Sequence, residues 1–184
     1  MKLPAGRKWI LFVLVTVAGL FLDWLTKWLV VETCVPGVPV SLVGSFLEVL
    51  LVFNRGGLFG IDPRGWLPGF PVNWFFYVFS AAAVVLLVVY YRNLRRSRWP
   101  MYLGISLIMP GALGNLLDRV LHPDRGVVDF VKCDLGFWPF NPWPIWNLAD
   151  AYITVGVVLI LSELVREELS RKPAAGPAED PGGP

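Results

Sequence analysis

Four carboxylates lie in or against apolar segments of this chain: Asp23, Asp118, Asp129 and Asp150. An ionisable group at membrane depth costs about 2.5–3.5 kcal/mol on insertion scales, so it marks a functional site by default. Asn54, Asn115, Arg119 and Asn147 fall near the same ends of the apolar runs. Asp129 sits in Val127-Val128-Asp129-Phe130, and Asp150 in Asn147-Leu148-Ala149-Asp150. Both stand at a boundary that water reaches but where the dielectric is low. Two carboxylates brought together in such a place cannot both ionise easily and tend to share a proton. One is then an acid and the other a base near neutral pH, a pair able to activate water.

Other chemistries lack their residues. The only histidine is His122, and there is no HExxH or Cys/His cluster, so neither a Ser/His/Asp set nor a metal site is expected. Cys34 and Cys133 fit no zinc or redox spacing. They are expected as free thiols, with a bridge open to them if both face an oxidising side. The remaining polar groups each have a plainer reading. Asp23 and Lys27, four apart on one helix face, form an ion pair that makes the helix insertable, a reading favoured over direct catalysis. Asn147 with Asp150 three residues on is a normal helix start. The stretch Phe53-Asn54-Arg55-Gly56-Gly57-Leu58-Phe59-Gly60 is, alone, a glycine turn. Asn115, Asp118 and Arg119 follow at three- and four-residue steps, a polar cluster after the small-residue face of Gly104, Gly111 and Gly114.

The elements that must position these groups are membrane spans. Of 184 residues 55% are hydrophobic and 16% charged, against about a quarter charged in a soluble domain. A net charge of +2 gives no sign of nucleic-acid binding, and nine Trp and twelve Phe suit aromatic belts at two interfaces. Apolar stretches at about 9–31, 71–91, 99–117 and 145–165 approach the roughly 20 residues that cross a bilayer. The third is the lightest. The expected fold is a mainly α membrane protein of four transmembrane helices with a small extracytoplasmic β-sheet, strand-like over 38–60. Lys2, Arg7, Lys8, Arg92, Arg95, Arg96, Arg98, Arg166, Arg171 and Lys172 flank one side of the spans. The positive-inside rule therefore puts both termini in the cytoplasm and the polar cluster near the outer face. Glu32 before Cys34, and Asp23 and Lys27, spoil a cleavage region, so the first span reads as a retained anchor. The aromatic loop 134–146 either lies on lipid or packs on the sheet. Residues 173–184 read as a disordered tail.

On these residues the chain resembles the lipoprotein signal peptidases (signal peptidase II), four-span aspartyl proteases of the bacterial cytoplasmic membrane. The likeness covers about 9–165 and rests on Asp23-x-x-x-Lys27, FNRGGLFG at 53–60, GALGNLLDR at 111–119, VVDF at 127–130 and NLAD at 147–150, in the family's order. The family usually has Gly where Pro110 stands and Phe where Trp146 stands, and small residues often follow the glycine where Gly57 and Leu58 stand. These differences touch pocket shape and remove no polar group. The resemblance implies one integral membrane peptidase domain over 1–172, with a catalytic dyad of Asp129 and Asp150. Asp23, Lys27, Asn54, Asn115, Asp118, Arg119 and Asn147 would bind substrate or support the dyad. It implies a prolipoprotein substrate whose cysteine already carries diacylglycerol, cut just before that cysteine, with membrane lipids as surroundings. No metal or organic cofactor is implied, and the enzyme is expected to be a monomer. A proton-relaying transporter would place its charges mid-membrane, and a Mg²⁺-dependent lipid transferase would need closely spaced carboxylates. The boundary position of Asp118, Asp129 and Asp150 argues against the first. The lack of near neighbours beyond Asp118 and Asp124 argues against the second.

Overall fold

The computed structural model describes residues 5–56, 66–94, 98–137 and 143–170. The expected tail, residues 57–60 of the glycine turn and 138–142 of the aromatic loop lie outside the described residues. Four helices are long and apolar enough to cross a membrane: α1 (Ala5–Thr33), α2 (Val72–Asn93), α3 (Trp99–Leu121) and α4 (Leu148–Leu169). A three-stranded antiparallel sheet, in the order β1-β2-β3, joins them: β1 (Val40–Val43), β2 (Leu47–Asn54) and β3 (Val127–Cys133). The expected four-helix membrane fold with a small sheet is therefore present.

The light hydropathy of the third span has a structural cause. The mean hydropathy of α3 is 1.3, the lowest of the four helices, and half of its most apolar window is buried inside the protein, against 6% for α2. A helix surrounded by other helices need not be as apolar as one surrounded by lipid. Glycine lets α3 and α4 touch through backbone. A Cβ on Gly104 would lie 2.8 Å from the Gly156 carbonyl oxygen, and one on Gly111 only 2.4 Å from that of Ala149. Such small-residue contacts are the usual route to close packing where no hydrophobic force separates helix from lipid. Phe12, Tyr91, Met101, Tyr102, Ile105 and Met109 form the core at the end of the bundle away from the sheet.

At the other end the sheet rests on the last turns of α1. Leu51, Val128 and Phe130 are buried there against Val30, Val31 and Cys34. Residues 127–133, which the sequence presents only as an apolar stretch around Asp129, form β3, with Val52 opposite Asp129. The fourth helix starts at Leu148, three residues later than expected. Trp146 first bridges to Val131 in the manner of a one-residue strand. Asn147 then caps the helix by accepting from the Asp150 N–H at 3.0 Å. Cys34 and Cys133 are both free thiols.

Candidate active site

The site is built where the sheet meets the ends of α1, α3 and α4. Three backbone hydrogen bonds tie Trp146 to Phe130 and Val131. They bring Asn147 beside Asp129 on the neighbouring strand. Asn147 is fully buried, and its Nδ2 donates to Asp129 Oδ1 at 2.6 Å and to Asn115 Oδ1 at 3.1 Å. Its backbone N–H donates to Asp150 Oδ2 at 3.3 Å. One asparagine thus touches both carboxylates while also capping α4. The capping role expected of Asn147 and the site role coexist in one side chain. The other two carboxylate oxygens also accept amides: Asp129 Oδ2 from Asn54 Nδ2 at 2.8 Å, and Asp150 Oδ1 from Asn115 Nδ2 at 2.9 Å.

Electrostatics separate Asp129 from an ordinary surface acid. Asp129 is only 4% exposed, whereas Asp150 is partly open. Burial, the largest cause, pushes the Asp129 carboxyl up from 3.8 to about 6, and the nearby Asp150 charge adds to the rise. The amides of Asn54 and Asn147 and the Lys27 ammonium pull the other way. A carboxyl held near 6 changes protonation close to neutral pH, as acid–base catalysis requires. The N-terminus of α4, with its partial positive charge, favours the acids gathered around it.

Lys27 and Asp23 do more than make α1 insertable. Lys27 Nζ lies 2.8 Å from Asp23 Oδ2, 2.9 Å from Asp118 Oδ2 and 3.2 Å from Asn115 Oδ1. Asp23 Oδ1 accepts the Ala149 N–H of the first turn of α4 at 3.0 Å. Asp118 Oδ2 accepts from the Val128 N–H at 3.2 Å, which fixes the start of β3. The pair therefore bolts α1 to α3 and α4. Gly114 makes room for it, since a Cβ there would fall 2.3 Å from Asp23 Oδ2. Arg119 is buried and donates to the carbonyls of Asn115 and Gly56, each at 3.0 Å.

All nine residues expected from the sequence thus fall in one hydrogen-bonded cluster. Several participants were not among them. The Ala149 and Val128 N–H groups, the Gly56 carbonyl and the Trp146 backbone act through peptide groups that every residue carries. Phe76 and Tyr77 of α2 also reach Arg119, and aromatic residues inside an apolar span give no signal of such a contact. Among the described residues no group of three His, Cys, Asp or Glu side chains is placed to hold a metal ion.

Comparison with known proteins adds an independent line. A family model described as signal peptidase (SPase) II matches residues 15–166. The lipoprotein signal peptidase of Geobacillus thermodenitrificans is 34% identical over 155 residues, covering 84% of this chain and 89% of that protein. That of Staphylococcus epidermidis is 34% identical over 159 residues, covering 86% and 91%. That of Listeria monocytogenes serotype 4b is 35% identical over 150 residues, covering 82% and 90%. A bacterial membrane enzyme solved by the in meso method at 2.3 Å resolution superposes with a TM-score of 0.76 at 28% identity, over 95% of this chain and 97% of that one.

Proposed function

Because the chain belongs to the signal peptidase II family, we propose that it removes signal peptides from prolipoproteins by aspartic catalysis at Asp129 and Asp150. Its substrate is a precursor whose cysteine carries diacylglycerol, and the bond cut is the one before that cysteine. One aspartate takes a proton from a water held between the two carboxyls. The hydroxide attacks the scissile carbonyl carbon while the other, protonated, aspartate donates to the carbonyl oxygen. The tetrahedral intermediate collapses as the first aspartate returns its proton to the departing amine and the second recovers its own from the hydroxyl.

Asn54, Asn115 and Arg119 hold the substrate backbone or orient the dyad, while Asp23, Lys27, Asp118 and Asn147 brace it. The observation that carries the reading is the shared asparagine: Asn147 bonds Asp129 at 2.6 Å and Asp150 at 3.3 Å. Arg7, Lys8, Arg92, Arg98 and Arg166 lie at the helix ends away from the sheet. By the positive-inside rule that end faces the cytoplasm of a bacterial inner-membrane protein, and the site opens near the outer face. One chain supplies every group named, which favours a monomer embedded in lipid, with residues 1–172 as one peptidase domain.

Cleavage of a lipid-modified precursor, followed by gel shift, tests the assignment. Asp129→Asn and Asp150→Asn should each lower turnover on the order of 10³-fold or more, as loss of a catalytic group does. Both variants should remain folded in the membrane. Near-normal turnover in either overturns the dyad.

A further inference from the structure

Arg119 is a buried cation with an unusual set of partners. Among the described residues no carboxylate pairs directly with it. Its Nη atoms bond two carbonyls, and its guanidinium lies over the Phe76 ring of α2 at 4.5 Å. The neighbouring Tyr77 hydroxyl donates to the Arg119 backbone carbonyl at 2.8 Å. The side chain is thus fixed at its root by Tyr77, on its face by Phe76 and at its tip by Gly56. Most of α2 is exposed: Val72 and Tyr91 are its buried residues, and Val84 and Leu87 pack on the core farther along. Phe76 and Tyr77 are half-buried, where α2 turns from lipid toward α3.

The consequence runs outward from Gly56. The Gly56 N–H donates to Asn54 Oδ1 at 2.9 Å, which turns the amide so that Asn54 Nδ2 faces Asp129 Oδ2. By holding the Gly56 carbonyl, Arg119 holds the turn that aims Asn54. A planar guanidinium stacked on a ring loses little freedom per bond it makes, so an aromatic face is an effective support.

We propose that Phe76 and Tyr77 are positioning residues for the reaction, fixing Arg119 so that Gly56 and Asn54 hold Asp129 in place; this rests on the peptidase reading above. Neither side chain touches the reacting atoms. A role in lipid packing alone would need neither a ring under the guanidinium nor a hydroxyl on the Arg119 carbonyl.

The test is a double-mutant cycle on purified full-length protein with the lipid-modified precursor. Phe76→Leu should lower kcat about tenfold, in keeping with a desolvated cation–π contact, while Phe76→Tyr keeps the ring face and the rate. Tyr77→Phe should lower kcat about threefold. In an Arg119→Gln background, whose residual turnover is read over long incubations, Phe76→Leu should cost nothing further, because coupled residues are non-additive. The alkaline limb of the kcat/KM profile should move up in Phe76→Leu, since the Asn54 bond favours the ionised Asp129. A full extra loss in the Arg119→Gln background, or wild-type kcat and pH profile in Phe76→Leu, overturns the proposal. If Phe76→Leu fails to fold, Tyr77→Phe in the same cycle decides. A wild-type protein that leaves the precursor uncut overturns the peptidase reading instead.

Discussion

Both ends of the helix bundle bury charge, and they use it differently. At the end away from the sheet, Lys8 is only 7% exposed. Its ammonium donates to the carbonyls of Tyr91, Arg92 and Leu94 at 3.2, 3.3 and 2.9 Å, within 5.7–5.8 Å of the rings of Trp9, Tyr91 and Tyr102. Three donors meet three acceptors at the C-terminus of α2, where a cation is favoured. Glu163, also buried, is bonded by Arg166 and lies 3.8 Å from Arg98. Each buried charge there has its bonds filled, Lys8 by carbonyls and Glu163 by arginine. At the sheet end four carboxylates, Asp23, Asp118, Asp129 and Asp150, face two cations, Lys27 and Arg119. Buried acid in excess of base must retain a proton or open to water. The same device fastens helices where it is saturated and, on the peptidase reading proposed above, serves the reaction where it is not.

The largest way to break that contrast, short of removing an aspartate of the pair, is Lys27→Met. It leaves Asp23 and Asp118 without their shared cation. Stripping one partner from a buried ion pair costs about 3–5 kcal/mol. Thermal unfolding in detergent should show a marked drop, and precursor cleavage should fall with it. Adding Asp118→Asn should recover part of the stability, since a neutral amide needs no cation, without recovering turnover. A Lys27→Met protein as stable and active as wild type would mean that the excess of acid at the sheet end has no consequence.

The two ends were not equally legible in the sequence. Asp23, Asn115, Asp118 and Asp150 stand out because polar residues in apolar runs are expensive, and Lys27, Arg119 and Asn147 follow or precede them at helical spacings of three or four. Asp129 stood out for the same reason, but its strand did not. β3 owes its existence to pairing with β2, far earlier in the chain (Asn54 with Val127, Leu47 with Cys133), and no local pattern announces such a partner. Lys8 was readable only as a topology signal. Its acceptors are main-chain carbonyls 83 to 86 residues away, and main-chain groups carry no sequence signature. Phe76 and Tyr77 were hidden in the same way, as aromatics in a span where aromatics are ordinary.

The proton retained at the sheet end gives a sharper, intermediate effect. With its carboxyl pushed up to about 6, Asp129 keeps a proton to about pH 6 and loses it above. In the free enzyme, kcat/KM should therefore fall on the alkaline side, about tenfold per pH unit beyond that point. Asn54→Ala removes a bond that favours the charged form, so the limb should shift to higher pH even as the rate drops. A flat kcat/KM profile from pH 5 to 8 would place the retained proton elsewhere.

Lys8→Met should have the smallest effect on chemistry, and its form matters more than its size. The variant loses three charge-assisted hydrogen bonds, worth more than neutral ones, but the freed carbonyls stand at the end of α2 where water can replace the ammonium. A loss of about 1–3 kcal/mol in unfolding free energy is expected. Lys8 lies fifteen residues before Asp23, about four turns of helix, and no polar group of the site touches it. Turnover per folded molecule should therefore stay at the wild-type level, and so should the pH profile. Measuring both on the fraction that survives gentle heating separates the two ends: a charge with its bonds filled governs how much enzyme there is, and acid in excess of base what each molecule does. If Lys8→Met instead lowered kcat as Lys27→Met does, α1 would be acting as one lever between the ends, and the division drawn between fastening and reactive charge would fail.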